Sequence, residues 1–414
     1  MSLPTLSLPA RLAGSIGAGH PWVYRDHVPQ DVDLADGSWV RVEAGSTEAV
    51  GLWSERGAIA VRLFTRAFRR ARRRDVLERP DGAWVAAAVE RALDLREGLE
   101  RSGTDAYRLL NGEGDGLPGL TVDRYGRFAV VQTYAEGYRL EGSEAAELLR
   151  ETVSALTRVL PLEGVLIAGR AGQPTRALWG ERPQPELRVR ENGLRFLANV
   201  FEGQKTGLFL DHRGNRASLR DHARGRIVAN LFAYTGAFSV YALAGGARRA
   251  VDVDVAAAAL RDAARNVASN SDAIGGGAGE RHGILELDVL SDPQAAFSHP
   301  ALRGSDLIVL DPPSLARRKG QRHAALRAYR RLNAAALAAL PDGGLLASAS
   351  CTAQVSAESF RSVVAEAAAE AGVWAQVIHE SGHGVDHPVP LAFPEGRYLK
   401  FVLLRVSRSG RDAP

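Results

Sequence analysis

Asn230-Leu231-Phe232-Ala233-Tyr234-Thr235-Gly236-Ala237-Phe238 is the stretch from which the fold can be read. It follows a strand-like run, Arg226–Leu231, and passes through small residues into a helical pattern. A strand, a small-residue turn and a helix N-terminus in that order let a ligand approach the backbone closely. Outward from it, strand-like runs recur at Arg249–Val253, Ile284–Asp288, Leu307–Leu310, Gly344–Ser348, Ala375–His379 and Tyr398–Val406, with helical stretches between most of them. Such alternation predicts an α/β fold, an open sheet with its ligand at the carboxyl ends of the strands.

Two acids suit that edge. Asp254 closes the second strand, 18 positions after Gly236, where nucleotide-binding sheets place an acid for ribose hydroxyls. Asp288 closes the third and can accept from an adenine amino group. Each alone reads more readily as a helix N-cap than as a ligand. With acids at successive strand ends, the pattern points to adenosine. The chain has neither G-x-G-x-x-G nor a Walker A motif, so a dinucleotide or nucleoside triphosphate is not the expected ligand.

The fourth strand ends in Leu310-Asp311-Pro312-Pro313, two prolines that stiffen a loop at the same edge. This segment resembles motif IV of class I S-adenosylmethionine-dependent methyltransferases, and Asn230–Gly236 resembles their motif I. Amino-methylating members usually carry an aromatic residue after the prolines; here Ser314 stands there. The next strand leads into Ser348-Ala349-Ser350-Cys351-Thr352. A lone cysteine is commonly inert core filler. Cys351 is the only cysteine, lies between two hydroxyl residues and should face Asp311 across adjacent strand ends. C5 of a pyrimidine is a poor nucleophile, and a thiolate adding at C6 makes C5 enamine-like and able to attack a methyl sulfonium. Amino-group methylation needs no such thiol, so Cys351 points to carbon methylation, with Asp311 hydrogen-bonding N3 of the base. No residue of the sequence identifies itself as the general base.

The remainder of the chain is ordinary in composition. Of 414 residues, 45% are hydrophobic and 24% charged, which excludes extensive disorder and fibrous architectures. A single cysteine excludes an internal disulfide and a cysteine-rich metal site, and no metal is expected. No apolar run approaches the ~18–20 residues that span a bilayer, and the N-terminus lacks a secretory pattern; a cytoplasmic protein with no membrane partner is the simplest expectation. Of 52 basic residues only Lys205, Lys319 and Lys400 are lysines. That bias looks like a GC-rich genome, so abundant arginine is weak evidence for nucleic acid. The net charge of +4 resides in residues 1–74, where 11 arginines meet 7 acids and Arg66–Arg74 forms a dense basic run. Alone, the run reads as a solvated helix face or linker; its sharper reading is a phosphate-contacting patch.

Three segments follow. Residues 1–74 hold short strands at Ser38–Val42, Ala49–Trp53 and Ala58–Leu63 and read as a small all-β barrel. Residues 75–190 read as a central α+β domain, with helices at Ala83–Gly98 and Gly142–Leu160 and strands at Leu120–Asp123, Phe128–Thr133 and Gly164–Ala168. Residues 191–414 form the α/β domain, entered through a hairpin over 187–200 that turns at Glu191-Asn192-Gly193.

Over nearly its full length the chain resembles the RlmI-type 23S rRNA (cytosine-5) methyltransferases, bacterial proteins with a PUA domain, a central α+β domain and a Rossmann-like class I methyltransferase domain. The resemblance rests on His20–Tyr24, Gly114–Tyr125, Gly203–Arg213, Asn230–Phe238, Leu310–Pro313, Ser350–Thr352, Asp386–Pro388 and Phe393–Lys400. It implies Cys351 as nucleophile, and S-adenosyl-L-methionine held at Phe232, Thr235, Gly236, Asp254 and Asp288. The implied partner is 23S rRNA, naked or in a large-subunit precursor. Lys205, Arg213, Pro312, Pro313 and Arg397, with Arg70 and Arg73 of the basic run, become the expected substrate and RNA contacts. PUA modules hold structured RNA by backbone and shape, and a cytosine inside a helix must be flipped to expose C6.

Two departures stand out. Thr352-Ala353-Gln354 follows Cys351 where many members have serine and then histidines, and His212 replaces a common glutamine. The His212 ring can supply a hydrogen bond of the same kind or serve packing. The sequence leaves open uridine C5 methylation, guanine or adenine amino methylation, and a non-catalytic RNA-binding assembly factor. It also leaves open the target nucleotide and the oligomeric state, a homodimer included.

Overall fold

The structure is a computed structural model and describes residues 3–66, 78–170, 173–201, 208–316 and 318–408. The chain packs as two compact units: Met1–Leu187 with Asn199–Gly207 and Val385–Gly396, and Arg188–Ala198 with Leu208–Gly384 and Arg397–Pro414. The segments 199–207 and 385–396, which a linear division at 190/191 leaves with the α/β domain, thus group with the first unit. Among the described residues no helix is long and apolar enough to cross a membrane.

The first unit contains two sheets. In the N-terminal one, Trp39–Ala44, Thr47–Trp53 and Ile59–Arg66 form an antiparallel meander, flanked by Thr5–Leu8 on one side and Trp22–Tyr24 on the other. The second sheet runs Arg176–Gly180, Gly164–Ile167, Phe128–Thr133, Leu120–Tyr125, Ala106–Asn111. Helices Gly82–Arg101 and Glu144–Val159 contribute apolar faces to its core. Both begin on side-chain caps: Asp81 accepts from the Trp84 amide and Ser143 from the Ala146 amide, as acids and hydroxyls do at N-caps. The strands at 5–8, 22–24, 106–111 and 176–180 were not expected from the sequence. Trp22–Tyr24 spans only three residues, and Arg176–Gly180 is largely exposed, so neither carries a clear alternation.

The expected hairpin, Leu187–Glu191 and Leu194–Ala198, leads into the second unit, which begins at Arg188. Its turn residues Asn192 and Gly193 sit at φ 49° and 79°, the left-handed pair that a two-residue hairpin requires. The main sheet has seven strands: β1 (Ile227–Leu231), β2 (Arg249–Asp254), β3 (His282–Glu286), β4 (Leu307–Leu310), β5 (Leu345–Ser350), β6 (Trp374–Ser381) and β7 (Lys400–Ser407). Their order is 3-2-1-4-5-7-6. The first five are parallel, and β7 enters antiparallel to both β5 and β6. Strand order reverses between β1 and β4, which creates the crevice in which such sheets bind ligands.

Candidate active site

At the carboxyl end of β1 the backbone curls tightly. Phe232, Tyr234 and Gly236 all lie in the left-handed region, at φ 61°, 50° and 73°. For the two aromatic residues this costs on the order of 1 kcal/mol or more each, so the surroundings must enforce it. The Ala233 amide donates to the Val253 carbonyl at 3.0 Å, the Tyr234 amide to Asp254 Oδ2 at 2.9 Å, and Asn266 Nδ2 to the Thr235 carbonyl at 2.8 Å. Gly236 is obligatory for a second reason: a Cβ there would strike Asp252 Oδ2 and stand 2.7 Å from Ala263 Cβ.

Beneath the curl lies a buried polar cluster that sequence reasoning missed. Asp252 Oδ1 accepts from Asn230 Nδ2 at 2.7 Å and Ser239 Oγ at 2.5 Å, and its Oδ2 pairs with His282 Nε2 at 2.8 Å. Each buried polar group thereby finds a partner. The available signal was polar side chains interrupting otherwise apolar elements at 230, 239 and 252.

These residues suit S-adenosylmethionine. Thr235 is 5% exposed and its buried Oγ1 has no hydrogen-bond partner, an omission that costs about 1–3 kcal/mol unless a ligand completes it. Asp254, half-buried, accepts from Tyr234 N through one oxygen and from Ala256 N at 2.9 Å through the other. A carboxylate oxygen has a second lone pair, so this cap-like role leaves acceptors for ribose hydroxyls. Phe232 is partly buried against the apolar core. Asp288 lies two residues past the end of β3, exposed, its Oδ1 accepting from the Leu290 and Ser291 amides at 3.0 and 3.3 Å.

Next along the edge, β4 and β5 pair in parallel with Leu310 opposite Ser348. That register brings Asp311-Pro312-Pro313 and Cys351 to neighbouring strand ends. Cys351 is half-buried, with Sγ 4.0 Å from the Pro312 carbonyl. Thr352 is buried and ties the two loops together: its Oγ1 accepts from the Leu315 amide at 3.1 Å and lies 2.7 Å from the Tyr329 hydroxyl. Burial pushes that phenol up to about 12, so it stays neutral.

His212 Nε2 lies 3.4 Å from Asp311 Oδ1. Its Nδ1 faces Asn215 Nδ2 at 2.9 Å, and Ser381 Oγ donates to Asn215 Oδ1 at 2.7 Å. With the amide nitrogen as donor, Nδ1 accepts and the proton sits on Nε2, directed at Asp311. Burial opposes a charged imidazole, but Asp311 and then Asp211 outweigh burial and Arg216, so the pKa of His212 is raised.

Of the expected RNA contacts, Arg213, Pro312, Pro313 and Arg397 lie among the described residues. Pro313 and Arg397 are exposed and Pro312 is buried. Arg213 is 4% exposed, interior rather than open to a phosphate. Lys205, Arg70 and Arg73, with the basic run from residue 67 onward, lie outside the described residues.

A seven-stranded sheet with an antiparallel seventh strand, a ligand curl after its first strand and an Asp-Pro-Pro loop after its fourth define an S-adenosylmethionine-dependent methyltransferase. Residues 170–378 match the S-adenosylmethionine-dependent methyltransferase family, and residues 7–66 match the PUA-like domain. Over 98% of its length the chain is 36% identical to the whole of a ribosomal RNA large subunit methyltransferase of Deinococcus radiodurans. It is also 36% identical, over 95% of the chain and 96% of the relative, to ribosomal RNA large subunit methyltransferase I of Shewanella amazonensis. Among solved structures, a Streptococcus mutans protein assigned as a SAM-dependent methyltransferase superposes with a TM-score of 0.79, over 97% of this chain and 100% of that one, at 21% identity. Another, assigned as a methyltransferase and solved with SAH, gives 0.81 at 22% identity, again over 97% and 100%; both show the fold. The chain belongs to the ribosomal RNA large subunit methyltransferase I family, and its cofactor is S-adenosylmethionine.

Proposed function

We propose that this protein methylates C5 of a cytosine in 23S rRNA of the large ribosomal subunit, with Cys351 as covalent nucleophile. The reading is carried by one observation: the only cysteine of the chain is half-buried at the carboxyl end of β5, on the strand next to Asp311.

The chemistry follows from those two side chains. The Cys351 thiolate bonds to C6, and the C5–C6 π pair moves into the ring toward N3. A proton taken up from solvent is shared between Asp311 and N3, so the adduct does not accumulate charge, and it returns to solvent once the thiolate has left. S-adenosylmethionine, when bound, supplies an electrophilic methyl group to the activated C5. Loss of the C5 proton to a base then re-forms the C5–C6 bond and expels the thiolate. Thr352, through Leu315 and Tyr329, holds the Cys351 loop against the Pro-Pro loop. Cytosine rather than uracil rests on the resemblance of the sequence to the cytosine-5 family, and the large-subunit rRNA on the names of the relatives. The three-part division at 74 and 190 assigns RNA holding to the PUA-like segment. Amino-group methylation is the second reading, favoured only by Asp311-Pro312-Pro313; the exposed Ser314 supplies no aromatic ring to stack on a base.

The test uses the full chain, S-adenosylmethionine and rRNA carrying 5-fluorocytidine at the target. C5 then has no proton to lose after methylation, so the Cys351–C6 bond should persist as a denaturation-resistant protein–RNA adduct. Cys351→Ala should give neither adduct nor methylation while still binding cofactor, and Cys351→Ser should be inactive because a hydroxyl is far less ionised than a thiol. Near wild-type methylation by Cys351→Ala would overturn the covalent mechanism and favour the amino-group reading.

A further inference from the structure

We propose that Lys400 is a positioning residue whose buried ammonium holds Cys351 as the reactive thiolate and fixes the loop that carries it. The inference rests on reading Cys351 as the nucleophile.

The placement follows from the antiparallel pairing of β5 and β7, which sets Lys400 opposite Ser350, the residue before Cys351. Its side chain runs inward and Lys400 is 5% exposed. Nζ donates to the Thr352 carbonyl at 2.7 Å and to the Tyr398 carbonyl at 2.8 Å. Two of its three N–H bonds are thus spent on backbone oxygens, one of them belonging to the residue that follows Cys351. Among the described residues no carboxylate pairs with it.

A buried ammonium without a counter-charge is expensive, by several kcal/mol. Lys400 shows that cost: burial pulls its pKa down to about 8, and the charge that pulls it back up is Cys351's. The attraction is mutual, so whatever favours the ammonium beside Cys351 also favours the thiolate beside Lys400. The other groups near the cysteine are differently engaged. Asp311 faces His212. Tyr329, from the helix Arg322–Ala339, remains a neutral phenol on Thr352. The strand neighbour Phe401 is apolar. An ordinary thiol, with a pKa of about 8.5, is only a few per cent thiolate at neutral pH, and the thiolate is the nucleophile. When the thiol ionises, the S–H proton leaves to solvent while Lys400 keeps its own. The identity of the residue fits. In a chain with 49 arginines and three lysines, this position holds a compact ammonium rather than a planar guanidinium.

The experiment measures alkylation of Cys351 by iodoacetamide against pH, without RNA, in the full chain. With a single cysteine present, the modified mass reports that thiol alone. The wild-type inflection should lie at least one unit below an ordinary thiol. In Lys400→Met it should move up by one unit or more, slowing alkylation at pH 7 about tenfold. Lys400→Gln keeps N–H donors for the two carbonyls but carries no charge, and should behave like the Met variant. S-adenosylmethionine binding by both variants confirms that they are folded; if Met fails to fold, Gln decides. An unshifted inflection in a folded, uncharged variant would overturn the proposal. The two readings separate cleanly: a Lys400-dependent inflection without a 5-fluorocytidine adduct would sink the nucleophile and leave the coupling standing, and an adduct with no shift would do the reverse.

Discussion

His212 Nε2 lies 3.4 Å from Asp311 Oδ1, and the imidazole is 3% exposed, edge-on to Phe238 and Phe401. Its rear nitrogen faces Asn215, which Ser381 holds. The sequence left two roles open for this histidine, a glutamine-like hydrogen bond or packing, and the ring has both. A hydrogen bond to a carboxylate contributes about 1.5–3 kcal/mol.

His212→Leu keeps the packing and removes the donor, so Asp311 loses its orientation. If Asp311 acts on the base during the reaction, kcat should fall about tenfold or more with little change in S-adenosylmethionine affinity. His212→Gln restores an N–H toward Asp311 and should recover most of the loss. Steady-state kinetics of the two variants decide this; equal damage in both would assign His212 to packing alone.

Lys400 should also leave a mark on stability. Its pKa falls from an ordinary value of about 10.4 to about 8 in the folded chain. Between those values the unfolded chain binds more protons, so this residue makes stability rise with pH across that window. Chemical denaturation of wild type and Lys400→Met at pH 8 and pH 10 should show the wild type gaining on the variant at the higher pH. Parallel curves would mean that Lys400 is not held in a medium that disfavours its charge.

At the cofactor curl, Asp254→Ala removes the acceptor for Tyr234 N and Ala256 N together with the expected ribose contacts. S-adenosylmethionine affinity should drop by about 1.5–3 kcal/mol, the scale of hydrogen bonds to a charged group. Asp254→Asn keeps one acceptor oxygen and should lose less. Calorimetry with wild-type affinity in both variants would make Asp254 a structural cap and nothing more.

Much of this was legible in the sequence because it depends on local periodicity and turn chemistry. The parallel strands, the hairpin at Asn192-Gly193 and the helices capped by Asp81 and Ser143 each repeat a local rule. The strand Ala106–Asn111 escaped because part of its backbone is held from distant chain: the Arg108 amide donates to Asp386 Oδ2 at 3.1 Å. The third strand stops at Glu286 rather than Asp288 because the Leu290 and Ser291 amides claim the Asp288 side chain and turn the backbone.

By itself the sequence determined the α/β architecture, the small-residue turn after Leu231, and the identity of Cys351 and Asp311 as residues at strand ends. Composition, spacing and a single cysteine are properties of the linear chain. The tertiary structure alone decided who stands behind them. His212 reaches Asp311 from 99 positions upstream and Lys400 reaches the Cys351 loop from 49 positions downstream, because strand order brings together residues that no local pattern relates. Burial then fixes their chemistry, since a low-dielectric surround turns a lysine's ordinary charge into one whose pKa depends on a neighbouring thiolate.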